Sequence, residues 1–235
     1  MQIRRYIKDF LTSPDGVFYT SQDADLVPGE HSAEYFALDD EARREKGIPR
    51  IDTHVYSREN GWAIQALAAL YAVTGEKEYL DDAVRAADWI IARRALPDGG
   101  FSHDEKDVAG PYLGDTLSMG SAFLALYTVT GDPPGWIAPR PRRNYINAHF
   151  RSDSGFSTSS DTGTPRPTRQ LDENIALARF ANLLNHYSGM PPFGKWRSMP
   201  CATSLPQESR NAGDFRLAAF SSRTASCLRH PCISR

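Results

Sequence analysis

The sequence predicts an all-α fold, a partial α/α toroid of about three αα-hairpins in which the ring is not closed. Three observations lead there. One phrase returns three times, an acid-bearing step followed by an apolar run: Glu59-Asn60-Gly61 to Thr74-Gly75, Gly114-Asp115-Thr116 to Thr130-Gly131, and Asp172-Glu173-Asn174 to Ser188-Gly189. The closing glycines stand 56 and 58 residues apart, a period that marks stacked two-helix units. A Gly-Phe turn also returns, as Asp15-Gly16-Val17-Phe18, Asp98-Gly99-Gly100-Phe101 and Asp153-Ser154-Gly155-Phe156. Finally, charge-free segments alternate with amphipathic ones, which separates an inner helix from an outer one in each unit.

Taken in chain order, Met1 to Leu11 precede the first Gly-Phe turn and read as the end of an outer helix, so the chain is expected to begin in mid-repeat. Asp23 and Asp25 follow in a loop, where alternating acids either organise a turn or, with Gln22 and Glu30, gather oxygens round a cation; the spacing of an EF-hand calcium loop is absent, which favours the turn. The charge run Asp39 to Lys46 reads as a solvated surface helix ended by Gly47. Between Gly61 and Gly75 no residue is charged, and Trp62, Ile64, Leu67, Leu70, Tyr71 and Val73 are spread round the run. Such a helix is expected to be covered on nearly every side, with Gly75 ending it in a left-handed cap. Glu78 to Arg94 carries Asp81, Asp82, Arg85, Asp88, Arg93 and Arg94 against Leu80, Val84, Ala87 and Ile91, the pattern of an outer helix with one wet face.

The second outer helix is interrupted. Pro133, Pro134, Pro139 and Pro141 fall between Gly131 and Arg143, and each internal proline costs a helix about 3 kcal/mol, so only Arg143 to Phe150 is expected to be helical. The partial toroid is expected to span 1–189. From Met190 the periodicity ends, and 190–235 is expected to be an irregular or disordered tail, or the product of a shifted reading frame. Inner helices that are apolar almost all round suit a toroid better than a thin solenoid. Six hairpins of this period would need about 340 residues, so the 235 residues hold roughly half of a ring. The flanks of the end helices then lie open, which predicts self-association.

Composition narrows the function. A net charge of −2 and a pI near 6.3 provide no electrostatic footprint for nucleic acid or an anionic membrane, and no apolar run approaches a membrane span. The expected location is cytoplasmic. Cys201, Cys227 and Cys232 form no Cys-x-x-Cys pair, and no phosphate-binding loop or His/Cys ligand spacing occurs, so neither a cofactor nor a metal is expected.

The repeat alignment sets Arg58-Glu59-Asn60, Asp115 and Asp172-Glu173-Asn174 each at the start of an inner helix, facing one mouth. Carboxylates gathered at a concave site are what glycoside hydrolysis needs: one protonated to assist the leaving oxygen, one ionised to activate water or offset positive charge. Glu59, Asp115 and Glu173 are therefore the candidate catalytic acids. Arg58, Asn60, Trp62, Tyr112 and His103 are candidate contacts to a carbohydrate-like ligand, with Tyr56 and Phe101 as further aromatics for stacking. The competing structural role is helix capping, since acids in the first turn favour the helix dipole by about 0.3–1 kcal/mol. His54, His103 and His186 raise a second chemistry, acid and base histidines at a sugar carbon as in an epimerase.

Gly16-Val17-Phe18-Tyr19-Thr20-Ser21-Gln22-Asp23-Ala24-Asp25, then Ile51 to Gly61, then Leu113-Gly114-Asp115 ahead of Ala125 to Gly131 together resemble the thioredoxin-domain-containing family of spermatogenesis-associated protein 20 and its bacterial relatives. The resemblance implies a six-hairpin glycosidase-like α/α barrel that follows an N-terminal thioredoxin-like domain, with this chain matching the middle-to-late part of the barrel. It also implies a carbohydrate-related activity, inactive where the barrel is incomplete, or else a non-catalytic helical scaffold working beside a thioredoxin-like domain. The family's tryptophan before Asn-Gly is Glu59 here, and its acidic tract after the Asp-Ala-Asp motif is replaced by Leu26 to His31.

Overall fold

The computed structural model describes residues 2–31, 33–106, 110–131, 145–160 and 167–188, all within the first of two compact units, Met1–Met199 and Pro200–Arg235. The proline-interrupted stretch 132–143 and the tail 190–235 lie outside the described residues. The helices are α1 (Gln2–Phe10), α2 (Ala33–Ala37), α3 (Asp40–Lys46), α4 (Ser57–Thr74), α5 (Lys77–Arg94), α6 (Leu113–Thr130), α7, described over 145–149, and α8 (Leu171–Ser188). Two short antiparallel ladders are added to the all-helical expectation: β1 (Ser21–Gln22) with β2 (Ile51–Asp52), and β3 (Arg151–Ser152) with β4 (Gly155–Phe156). The chain is a partial α/α toroid, with α4, α6 and α8 as inner helices and α1, α5 and α7 as outer ones.

Local chemistry sets the ends of these helices. Gly75 and Gly131 take left-handed φ of 73° and 72°, and their N–H groups donate to the carbonyls of Tyr71 and Tyr127, closing α4 and α6 identically. α3 has Asp39 as its N-cap, accepting from the Ala42 N–H, and Gly47 beyond its C-terminus. In the loop before it, Asp23 Oδ1 accepts the Asp25 N–H at 3.1 Å, an Asx turn. α1 docks beside α5 through Arg4 and Lys8, which both pair with Glu78 and hold its carboxyl down at about 2, Lys8 first and Arg4 second.

The core is divided by α6. Met119, Ala122, Phe123 and Leu126 join Ile64, Ala68 and the α5 residues Ala83, Ala87 and Ile90 in one cluster. Leu113, Leu117 and Leu124 join Tyr145, Ile146, Phe150, Leu177, Phe180 and Leu184 in the other. Only α6 meets the expectation of cover on nearly every side. α4 exposes Trp62 at 56%, Leu70 at 39% and Val73 at 86%, and α8 exposes Leu171, Ile175, Leu183 and Tyr187. The physical reason is position in the arc, since α6 has an inner helix on each flank while α4 and α8 have one on a single flank.

A recurrent clamp sets the stacking register. The fourth residue of α4, Asn60, accepts the Phe18 N–H and donates to the Phe18 carbonyl, both at 2.9 Å. The fourth residue of α8, Asn174, treats Phe156 in the same way at 2.9 and 2.8 Å. In α6 the equivalent Thr116 accepts the Phe101 N–H, at 3.1 Å. Each inner helix thus grips the Gly-Phe turn that precedes it, and the three phenylalanines are buried. Asn60→Ala orphans a buried donor and a buried acceptor at once, so it is expected to cost about 2–3 kcal/mol in urea unfolding. A loss under about 0.5 kcal/mol would mean that water replaces the amide without penalty.

Candidate active site

The third residue of α4, α6 and α8 is Glu59, Asp115 and Glu173 respectively. Equal positions on stacked helices put the acids at one end of the arc, and Gly114 is the gap that lets them converge. A methyl group at Gly114 would stand 3.1 Å from Arg58 Cδ and 3.2 Å from Glu173 Oε1, so the side chains of neighbouring repeats approach over a bare backbone.

The three acids then differ. Glu59 Oε1 accepts from Arg58 Nε at 3.1 Å and Nη2 at 3.0 Å, while its Oε2 is buried with no hydrogen-bond partner among the described residues. Glu173 Oε2 is buried and unpartnered in the same way. Burial pushes the Glu173 carboxyl up to about 7, with the charge of Asp172 adding to the effect and Arg58 opposing it. Asp115 is 1% exposed and fully engaged: Oδ1 accepts the Arg58 N–H at 3.0 Å, and its two oxygens take His103 Nδ1 at 3.0 and 3.2 Å. Burial raises Asp115 from the usual carboxylate range against the pull of His103 and the Arg58 N–H, and the Asp115 hydrogen bond raises His103.

Capping is thus real but crosses between helices. Tyr56 and Tyr112 occupy the N-cap positions of α4 and α6 without a side-chain cap, and it is Asp115 of α6 that satisfies an orphan N–H of α4. The loops of the following repeat contribute as well, because the first N–H of α4 donates to the His103 carbonyl and that of α6 to the Thr158 carbonyl.

Around the acids stand aromatic rings. His103 stacks on Tyr56 at 4.1 Å between centroids and meets Tyr112 edge-on at 5.5 Å, and Tyr56 also stacks on His54 at 5.8 Å. His54 Nδ1 pairs with Asp52 at 2.5 Å, so each loop histidine has its own aspartate. Arg94 is buried behind them and holds Asp104 at 3.3 Å and the Val55 carbonyl at 3.4 Å, which pins both loops. Arg58 lies over the exposed Trp62 ring at 5.2 Å.

The structure therefore brings Arg58, Glu59, Asp115, Glu173, His103 and Tyr112 to one rim, with Trp62 joined through Arg58. Asn60 is corrected: it is 0% exposed and spent on the Phe18 clamp, so it cannot reach a ligand. Phe101 is likewise fully buried, and His186 lies in the last turn of α8, at the far end from the acids. The Asp115 partnership with His103 and the Arg94–Asp104 support were not foreseen; a histidine two residues after a Gly-Phe turn was their sequence trace. Among the described residues no group of three or more His, Cys, Asp or Glu side chains could hold a metal ion. Nor is any helix there long and apolar enough to cross a membrane.

No protein-family model matches the chain, and the curated proteins give no match. Solved structures do match in fold. The cellobiose 2-epimerase from Spirochaeta thermophila DSM 6192 superposes with a TM-score of 0.60 at 17% identity, covering 80% of this chain and 47% of that one. The unsaturated glucuronyl hydrolase from Bacillus sp. GL1, responsible for the degradation of glycosaminoglycan, gives 0.54 at 15% identity, over 81% of this chain and 52% of that one. An unsaturated glucuronyl hydrolase specific for heparin gives 0.55 at 13% identity, over 80% and 52%. The chain spans about half the length of these structures. They are six-hairpin glycosidase-like enzymes, and the likeness establishes that fold for the described arc.

Proposed function

We propose that the arc is the acid-bearing wall of a carbohydrate site of the glycoside-cleaving type. Glu173 serves as the proton donor to a glycosidic oxygen, and Glu59, paired with Arg58 at 3.0 Å, as the carboxylate that offsets developing positive charge. The observation that carries this reading is the pair of unlike carboxyls at one rim. One is pushed up to about 7 by burial, the other is ion-paired with Arg58, and each keeps a buried oxygen without a hydrogen-bond partner among the described residues. Divergent environments for two acids are how one site obtains both a donor and a charged partner near neutral pH. Asp115 is a positioning residue in this scheme, since its contacts orient His103 and the start of α4. Trp62 and Tyr112 provide ring faces for a sugar and Arg58 provides donors. The names of the solved neighbours, all sugar-processing enzymes, support the substrate class. With one wall present, the arc binds sugar and turnover awaits closure of the ring.

A second reading is a helical scaffold beside a thioredoxin-like domain, as the Phe18 to Asp25 resemblance implies. It is favoured by Asp115 and Asn60, whose bonds are structural. An epimerase-like chemistry is supported by His54 and His103, which share Tyr56 as a stacking neighbour. Titration of the chain with neutral oligosaccharides, followed by tryptophan fluorescence, separates the sugar site from the scaffold. A saturable change that is lost in Trp62→Ala and weakened at least tenfold in Arg58→Ala is expected. No saturable response to any sugar would leave the scaffold reading.

A further inference from the structure

We propose that Arg94, the last residue of the outer helix α5, is a positioning residue of the rim: it sets the Tyr56 and His103 rings against each other and so seats His103 on Asp115, from a buried place behind the ligand. Its part in sugar binding rests on the sugar-site reading above, whereas its part in placing the two rings does not.

Arg94 is 8% exposed, and its guanidinium lies 5.1 Å from the Trp89 ring. Nε and Nη2 both donate to the Val55 carbonyl at 3.4 Å, and Nη2 also donates to Asp104 Oδ1 at 3.3 Å. Val55 stands between His54 and Tyr56, and Asp104 directly follows His103. One planar fork thus ties the loop that enters α4 to the loop that leaves α5, at residues adjoining the two rings that stack at 4.1 Å. The other side of His103 is tied through main chain. The Arg94 carbonyl accepts the Ser102 N–H at 2.9 Å, and Ser57 Oγ donates to the Ser102 carbonyl at 2.6 Å. His103 is therefore held before and after, and the Arg94 side chain provides the second hold.

Stability alone does not account for a charge in this place. Withdrawing a guanidinium and a carboxylate from water costs much of what their attraction returns, so apolar residues of similar volume commonly stabilise as well or better. An apolar side chain would fill the space beside Trp89, but it could not bind acceptors on two loops at once. The consequence carries to Asp115, which is 1% exposed and takes His103 and the Arg58 N–H as partners. A His103 ring that swings off Tyr56 deprives that buried carboxyl of a partner. The same carboxyl caps the first turn of α4, where Arg58 and Glu59 stand, so a displacement behind the rim reaches the residues on it.

Arg94→Met keeps the apolar volume and removes the fork. NMR on the full chain reads two signals. The nuclear Overhauser contact between the Tyr56 and His103 rings is expected to be lost, and the His103 titration to fall from its raised position toward the free imidazole value of about 6.5. The sign is diagnostic. The Asp115 hydrogen bond is the largest influence on His103 and raises it, Glu59 acts in the same sense, and burial and Arg58 oppose. Deleting the Arg94 cation would by charge alone raise His103 further, so a fall reports departure from Asp115. Both signals intact, even with a lowered urea midpoint, would overturn the proposal, since a merely structural residue gives that result. Should Arg94→Met fail to fold, Asp104→Asn cuts the same tie at a side chain 23% exposed, and survival of the ring contact there would overturn it equally. Oligosaccharide binding in Arg94→Met is expected to be about threefold weaker or more, the equivalent of one loosened hydrogen bond. Undiminished binding with displaced rings would overturn the part in binding. A wild type that binds no sugar overturns the site reading instead, and the two ring signals still decide on Arg94.

Discussion

Glu173→Gln is expected to reduce glycoside cleavage at a complete site by about 10²–10⁴-fold, the usual contribution of a positioned proton donor. It is also expected to make the chain more stable in mild alkali. The two effects share a cause. Glu173 is raised to about 7 in the fold by burial, above the ordinary 4.5, so the folded state binds the proton more tightly than the unfolded state. The associated stability is complete below about pH 4.5 and is lost as pH climbs through about 7, where a carboxylate must sit half-buried beside Asp172. Glutamine keeps the shape and never ionises. Because the carboxyl is partly exposed and screened by solvent, the penalty removed at pH 8 is about 1–2 kcal/mol. Thermal unfolding from pH 5 to pH 8 reads this on the chain as it stands. Wild type should lose stability across that window while the variant's profile is flatter. Parallel profiles would mean that Glu173 is ionised throughout and cannot be the donor.

Much of the architecture was legible because it is written locally. Glycines that adopt positive φ at the ends of α4 and α6, and an acid at the third residue of each inner helix, recur at a fixed period, and repetition distinguishes them from ordinary composition. What escaped was written across repeats. Asn60 binds Phe18 over a separation of 42 residues and Asp115 binds the Arg58 N–H over 57, and these pairings exist only once the stacking register is known. An asparagine and an aspartate at helix starts look alike as candidate ligands or caps, yet both are spent on gripping another segment. The start of α4 agrees with the repeat alignment, which sets Arg58-Glu59-Asn60 in its first turn, but what caps it was not legible, because the cap comes from Asp115 and the His103 carbonyl instead of from a side chain in its own first turn. Hydropathy also could not separate α6 from α4 and α8. All three are apolar, but cover depends on how many neighbours stand beside each.

Gly61→Val is expected to be the most damaging single change to the fold, by about 3 kcal/mol or more, because it forces the α4–α6 seam apart. A Cβ at Gly61 would lie 2.4 Å from Ser118 Oγ, 2.8 Å from the Ser118 backbone carbon and 3.0 Å from the Met119 nitrogen. The hydroxyl can rotate only by giving up its 2.8 Å bond to the Arg58 carbonyl, and the backbone atoms cannot rotate at all. Relief therefore requires the two helices to separate, which loosens the contacts of Ile64 and Ala68 with Met119, Ala122 and Phe123 in the first core cluster. Alanine isolates the steric part of the argument. In an open helix Gly→Ala would stabilise by about 1 kcal/mol through propensity alone, so destabilisation by Gly61→Ala would show the seam overriding that gain. Gly114→Ala is the control, since its Cβ meets the ends of Arg58 and Glu173, flexible side chains that can yield. The expected order of urea midpoints is wild type and Gly114→Ala together, Gly61→Ala below them, and Gly61→Val lowest. Equal midpoints for the two alanine variants would show that α4 and α6 do not approach this closely. Because Asp115 reaches the Arg58 N–H only across that same seam, parted helices should also release His103 from its partner. Loss of the raised His103 titration in the Gly61→Val chain, followed by NMR, is the second signature of the same displacement.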